Sequence, residues 1–293
     1  MTSMRIGWIG IGNMGAPICR NLLAAGHAVT VFDIDPVRVA ELHAAGAAVA
    51  ADAADLAARA DLVFTMVPND RVLLAVAEGV AAALRPDQTF IDMSTVSPAT
   101  SAQVADLLAP SGAAYLRAPV SGSTAGAAAG TLAIYCSGPR AAYDAALPVL
   151  ERIGSRQTHV GTAEEARVLK LLINMIVCIT PAVVGEALAF GQRSGLDWDM
   201  MIEAIGGSAA ASPLIGYKAE MMKQRDWTVM ASVDLIAKDL DLALDWGRAR
   251  RVPMPFTALA QQVNSAYQAS GDGADDFFSV ITWPERLAGT GGR

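Results

Sequence analysis

The chain has 293 residues, of which 53 % are hydrophobic and 17 % charged, with 26 glycines and a formal net charge of −7. Typical soluble chains are roughly 25 % charged, so this one has apolar material for a large core, and intrinsic disorder is excluded as its overall state. The acidic balance, with no basic patch to track a phosphate backbone, argues against nucleic acid as a partner.

The length predicts two domains. Short β-type runs at 5–9, 28–32, 62–67, 89–92, 114–116, 132–136 and 157–160 alternate with helical stretches that include 13–25, 36–45 and 70–84. Most of the runs are continuously apolar, as in strands covered on both faces. Strand–helix alternation predicts parallel βαβ units. After Gly161 the pattern changes. Residues 162–194 read as one long helix, apolar on most faces, with a kink expected at Pro181. From Asp197 onward the composition is helical, broken near 206–213 and 252–255. The expected architecture is therefore an α/β Rossmann-type N-terminal domain (1–161) plus an all-α C-terminal domain (162–293), joined by that long helix. So apolar a helix must be covered on several sides, in part by another subunit.

Neither uncharged run supplies the roughly 20 strongly apolar residues of a membrane span: 118–138 is rich in Gly, Ser and Ala, and 171–185 contains Asn174 and Pro181. The first five residues run straight into a strand, leaving no room for a signal peptide, and the tail 289–293 reads as frayed. Cys19, Cys136 and Cys178 are scattered among apolar residues, which fits free thiols in a cytoplasmic protein. The three histidines lie far apart, so no zinc spacing exists.

The first strand leads into Gly10-Ile11-Gly12-Asn13-Met14-Gly15, which opens a helix, and Asp33 ends the second strand 21 residues past Gly12. This is the dinucleotide-binding arrangement: Gly10 for the tight turn, Gly12 for backbone approach to a diphosphate, Gly15 for close helix–strand packing. The helix start offers unpaired N–H groups to the phosphates. Asp33 is expected to accept the adenosine ribose hydroxyls and to repel a 2′-phosphate, so NAD is favoured over NADP. Asp35 adds to that charge, and the nearest arginine is Arg38.

Further motifs follow in order: Met66-Val67-Pro68, Ile91-Asp92-Met93-Ser94-Thr95-Val96-Ser97-Pro98, Ala118-Pro119-Val120-Ser121-Gly122, Lys170 with Asn174, and Lys238-Asp239-Leu240. With the glycine turn they resemble the β-hydroxyacid dehydrogenase family of the 3-hydroxyisobutyrate dehydrogenase type, across nearly the whole chain. The resemblance implies hydride transfer between a nicotinamide coenzyme and a small 3-hydroxy acid or its semialdehyde. It implies cofactor contacts from Val67, Pro68, Thr95 and Lys238, besides the glycine turn and Asp33, and together with the apolar excess of the composition it implies a homodimer or homotetramer. Ser121, Gly122 and Ser123 would hold the substrate carboxylate, and Lys170 and Asn174 would bind substrate and carry the acid–base step.

The residues also bear on that chemistry by themselves. Hydride transfer from an alcohol needs a group to take the hydroxyl proton. No zinc set exists, and no tyrosine has a lysine four residues on. Lys170 lies on an apolar helix, where a charge is costly without a purpose or partner. Burial and a positive nicotinamide ring are expected to lower its pKa, and Asn174 shares its face one turn on. Bland readings stand beside these: a snorkelling Lys170, a structural turn at 121–122, a helix N-cap at Thr95, and a surface lysine at Lys238.

Three positions depart from the family pattern. Arg117 stands where Asp is common, Ser123 where a second Gly is, and Ile173 where the first of two asparagines is. Arg117 could support the substrate loop, favour a more anionic substrate, or pair with a nearby acid. Alternative readings are a 2-hydroxy-3-oxopropionate (tartronate semialdehyde) reductase, an imine reductase, against which Lys170 and Asp33 argue, and a non-catalytic dinucleotide-binding protein.

Overall fold

In a computed structural model of the chain, residues 4–289 are described. The expected frayed tail falls almost wholly outside them, as do the first three residues. The chain divides into two compact units, Met1–Lys170 and Leu171–Arg293.

The first unit alternates strand and helix: β1 (Arg5–Ile9), α1 (Gly15–Ala24), β2 (Ala28–Phe32), α2 (Pro36–Ala44), β3 (Ala48–Val49), α3 (Ala53–Arg59), β4 (Leu62–Thr65), α4 (Asp70–Ala81), β5 (Thr89–Asp92), α5 (Pro98–Leu108), β6 (Ala114–Arg117), β7 (Val120–Ser121), α6 (Thr124–Ala129), β8 (Leu132–Ser137), α7 (Arg140–Ile153) and β9 (Gly154–Gly161). The strands form one sheet in the order β3-β2-β1-β4-β5-β6-β8-β7, with β9 also pairing β8. Side chains of successive residues point to opposite faces, and the sheet separates two cores accordingly. Ile6, Trp8, Phe64, Ile91 and Leu116 pack on one side with α1, α2, α6 and α7. Ile9, Val63, Phe90 and Tyr115 pack on the other with α3, α4 and α5. Trp8 stacks on Phe64 at 5.1 Å between ring centroids.

Pairing is parallel from β3 to β6. It then reverses, because β8 runs antiparallel to β6 and β7, while β9 is parallel to β8. The expected parallel βαβ units thus run as far as β6 and recur at β8–α7–β9, with the antiparallel pairs of β8 to β6 and β7 lying between them. The two-residue strands β3 and β7 give no periodic signal and were not expected. β4 stops at Thr65, two residues short of the expected run, which leaves Met66-Val67-Pro68 as a loop at the strand's carboxyl end.

The helix α8 (Glu165–Arg193) starts in the first unit and continues into the second. It is unbroken through Pro181, although that residue has no N–H to donate. Just before it, the Thr180 hydroxyl donates to the Ile176 carbonyl at 2.7 Å. By length and composition α8 could cross a membrane, with a mean hydropathy of 2.1 in its most apolar window. One face of it is buried in the second unit: Cys178, Val184 and Leu188 pack with residues of α9 (Trp198–Gly206), α10 (Pro213–Gln224), α11 (Val233–Ala249) and α12 (Pro255–Ala269). A 3-10 helix (Phe277–Ile281) and α13 (Thr282–Ala288) complete the unit. Among the described residues its only β feature is an isolated bridge between Ser232 and Asp276.

Candidate active site

The glycine turn is held by backbone contacts that leave no room for side chains. Gly10 has φ 90°, and a Cβ there would lie 2.3 Å from the Met66 carbonyl oxygen. A Cβ on Gly15 would lie 2.3 Å from the Gly10 carbonyl oxygen and 2.8 Å from Trp8 Nε1. The indole N–H of Trp8 donates to Gly10 O at 3.0 Å, so the buried core sets the turn directly. Met14, at the N-cap of α1, supplies no side-chain cap. The leading N–H groups of this helix suit an anionic oxygen. A Cβ on Gly12 would meet Arg38 Nη1 at 3.1 Å rather than backbone. Ile11 is buried, and Asn13 is exposed at the crest of the turn.

Asp33 follows β2 and faces this turn. Its carboxylate accepts from Ile11 N at 2.7 Å and from Asp35 N at 2.9 Å. Two of the roughly four lone-pair positions of a carboxylate are thereby used, which leaves capacity for hydroxyl donors. A cavity of about 370 Å³ adjoins it, lined by Phe32, Asp33, Ile34, Val39 and His43 among others. The nearby guanidinium of Arg38 pairs with Asp35 at 3.2 Å. Glycine cradle, uncapped helix start, acidic residue and apolar cavity together fit a dinucleotide.

Val67 and Pro68 follow β4, and Thr95 follows β5. Val67 N donates to Ser94 Oγ at 2.9 Å, so the two segments are fastened side by side. Thr95 is half-buried and is not a helix cap; Ser97 caps α5 through Thr100 N at 3.0 Å. The loop that follows β6 starts from Ala118 N, which donates to Asp92 O at 2.7 Å. Ser121 and Gly122 sit at the end of β7, Ser121 half-buried and Gly122 exposed. Ser123 caps α6, its Oγ accepting from Gly126 N at 3.2 Å. Its hydroxyl oxygen therefore has a structural donor, while its O–H and its backbone N–H remain as donors for a ligand.

Arg117 is an ion-pair residue. Nη2 lies 2.5 Å from Glu164 Oε1, Nε donates to the same oxygen at 3.0 Å, and the guanidinium stacks over Tyr115 at 4.2 Å. Its side chain is 7 % exposed. Of the three uses open to it from sequence, the pairing with an acid is the one realised. Glu164 neutralises it, which removes the physical basis for extra positive potential toward a substrate.

Lys170 is half-buried on α8, less enclosed than an interior ammonium, and Asn174 is buried one turn further on. In the second unit Asn174 Nδ2 donates to Asp239 Oδ2 at 2.6 Å. Asp239 is itself buried, and its other oxygen lies 2.9 Å from Lys238 Nζ. Asn174 and Lys238 are thus brought together through one carboxylate. Elsewhere in the second unit, Met230 N donates to Asp276 Oδ2 at 2.9 Å, and Asp234 accepts from Gln268 at 2.7 Å. Asp92, Ser94 and Arg167 were not expected as site residues. The signal available was a second cation, Arg167, one turn before Lys170 on an apolar helix.

Residues 5–161 match a family described as the NAD-binding domain of 6-phosphogluconate dehydrogenase. Residues 165–283 match one described as NAD-binding of NADP-dependent 3-hydroxyisobutyrate dehydrogenase. Fold and matches together define an oxidoreductase that uses a nicotinamide dinucleotide and acts on a hydroxyl-bearing carbon. The chain is 36 % identical over 291 residues to 2-(hydroxymethyl)glutarate dehydrogenase of Eubacterium barkeri, covering 98 % of this chain and 97 % of that one. It is 32 % identical over 289 residues to 2-hydroxy-3-oxopropionate reductase of Escherichia coli, covering 97 % and 98 %. A solved 3-hydroxyisobutyrate dehydrogenase of Mycobacterium tuberculosis, with L-serine, superposes with a TM-score of 0.89 at 32 % identity, covering 96 % of this chain and 99 % of that one. The chain belongs to the β-hydroxyacid dehydrogenase family, and the resemblance read from its motifs is borne out.

Proposed function

We propose that the protein is an NAD-preferring dehydrogenase of a small 3-hydroxy acid of the 3-hydroxyisobutyrate kind, or a reductase of the matching semialdehyde, with Lys170 as its general acid–base. The observation that carries this is the placement of Lys170 and Asn174 one turn apart on α8, with the Asn174 amide held by the buried Asp239. When bound, the nicotinamide takes up or returns the hydride. In oxidation the neutral Lys170 amine accepts the hydroxyl proton; in reduction its ammonium returns it to the carbonyl oxygen. Asn174, its amide N–H donating to Asp239, keeps a carbonyl oxygen to accept from the substrate hydroxyl. Ser121 Oγ and the backbone N–H groups of Gly122 and Ser123 hold the substrate carboxylate. Val67, Pro68 and Thr95 would hold the cofactor alongside Gly10, Ile11, Gly12, Asn13, Met14, Gly15 and Asp33, and Lys238 is the second unit's candidate for a cofactor contact.

Preference for NAD rests on Asp33, whose charge opposes a 2′-phosphate at a typical cost of several kcal/mol. Homo-oligomer formation is supported by a stripe on α8: Leu172, Ile176, Val183 and Phe190 are 52 %, 67 %, 60 % and 76 % exposed. Three buried free thiols favour a reducing, cytoplasmic setting.

The test is the change in nicotinamide absorbance with a panel of 3-hydroxy acids and semialdehydes and both coenzymes. Lys170→Ala is expected to bind NAD and turn over at least about 100-fold more slowly. Near-normal turnover in that variant overturns the assignment of Lys170.

A further inference from the structure

We propose that Arg167 is a positioning residue. Its guanidinium fixes the first turn of α8, and with it Lys170, to the turn after β5 that fastens the cofactor-side segments. The inference rests on the acid–base role of Lys170 and adds what holds that lysine in place.

Arg167 is 1 % exposed, and its donors are spread over four partners. Nη1 donates to Ser94 O at 2.7 Å, Nη2 to Asp92 Oδ2 and to Tyr115 OH at 3.1 Å, and Nε to Ser101 Oγ at 3.3 Å. The far side of the Asp92 carboxylate accepts from Ser94 N at 3.0 Å and Ser94 Oγ at 2.6 Å. Ser94 Oγ in turn accepts from Val67 N at 2.9 Å, and the Asp92 carbonyl accepts from Ala118 N at 2.7 Å. One buried network therefore joins the loop after β4, the Thr95 turn, the start of the 118–123 loop and the start of α8.

Burial by itself would weaken the guanidinium charge. Asp92, with Tyr115 and Glu164, outweighs it and holds Arg167 above the ordinary arginine value.

A buried ion pair is weak evidence for stability, because desolvation offsets most of the attraction; its better-attested use is to select one arrangement. A guanidinium suits that use, since its planar fork presents donors in fixed directions. Arg167 precedes Lys170 by three residues, about 4.5 Å of helix rise on a neighbouring face. A slide or tilt of this turn therefore carries the amine with it, and about 1 Å of misplacement at a reacting centre can cost ~100-fold in rate.

The experiment compares Arg167→Lys, Arg167→Met and Tyr115→Phe with Lys170→Ala, using the best substrate from the acid panel. Coenzyme binding is read independently from tryptophan fluorescence, which Trp8 beneath Gly10 makes sensitive to the site. Positioning predicts that both Arg167 variants keep coenzyme affinity within about 3-fold and lose kcat by ~100-fold, with a smaller change in KM. Lysine restores the charge without the fork, so it is expected to recover melting temperature more than kcat. Tyr115→Phe, which removes one acceptor and leaves the ring, is expected to lose roughly 2- to 10-fold in kcat, and it remains informative if the Arg167 variants do not fold. Variants that melt lower yet turn over at the parental kcat per folded molecule overturn the proposal while Lys170→Ala stays inactive. An active Lys170→Ala overturns both readings.

Discussion

At the scale of single residues, charge placement decides more than charge count. Asp33 shows how. Its carboxylate accepts from the backbone of the turn it faces, so it shapes the glycine loop, and in the proposed function its charge also opposes a 2′-phosphate. Asp33→Ser is expected to raise KM for NAD and to narrow the NAD-to-NADP ratio of kcat/KM by ~10-fold or more, since each 1.4 kcal/mol is a factor of ten. An unchanged ratio would remove Asp33 as the discriminating group. The pair Arg117–Glu164 behaves differently, because it faces protein on both sides. Glu164→Gln leaves a buried guanidinium without its counter-charge, at an expected cost of about 3–5 kcal/mol in denaturant unfolding. Tyr115, beneath that guanidinium, titrates late. Burial raises its phenol, with Asp92 adding to the effect against the two arginines. Because the folded form holds the proton longer than the unfolded chain, its contribution to stability is complete below about pH 10 and is lost as pH rises above it. Tyr115→Phe is expected to flatten that alkaline loss in thermal melts.

At the scale of elements, close approach and capping explain which segments the sequence revealed. α1 can start against β1 only because residue 15 has no Cβ. Gly15→Ala places a methyl within 2.3 Å of the Gly10 carbonyl, so the turn must shift and coenzyme affinity is expected to fall more than stability does. Isothermal titration separates the two effects. The elements with long apolar periodicity, β1, β2, β5, α4 and α8, were legible. The two-residue strands β3 and β7 were not, since their pairing depends on neighbours far along the chain. For the same reason the reversal of direction at β8 was invisible: parallel and antiparallel strands of that length read alike when both faces are covered. α8 was legible as one helix, and it runs on through Pro181 because one missing N–H costs less than the packing of its buried face contributes.

At the scale of the whole molecule, the apolar excess in the composition has a visible counterpart in the exposed stripe of α8. Replacing Ile176 and Phe190 together by Glu is expected to convert the proposed oligomer to monomers, as measured by sedimentation equilibrium. Retention of the parental mass would show that the stripe is not the subunit contact. Stability is also expected to depend on protein concentration for the parent and not for the variant, since association stabilises by mass action.

The sequence by itself determined the family, the order of an α/β part and a helical part, the glycine turn with Asp33, and the spacing of Lys170 and Asn174 along one helix. These are features of short range, in which a spacing along the chain is already a geometry. Tertiary structure decided the partners of the buried charges: Arg117 with Glu164, Arg167 with Asp92, Asn174 with Asp239. Each joins residues 47 to 75 positions apart. A buried charge must find a counter-charge somewhere, but which one it finds depends on how the whole chain packs, and no local pattern records that.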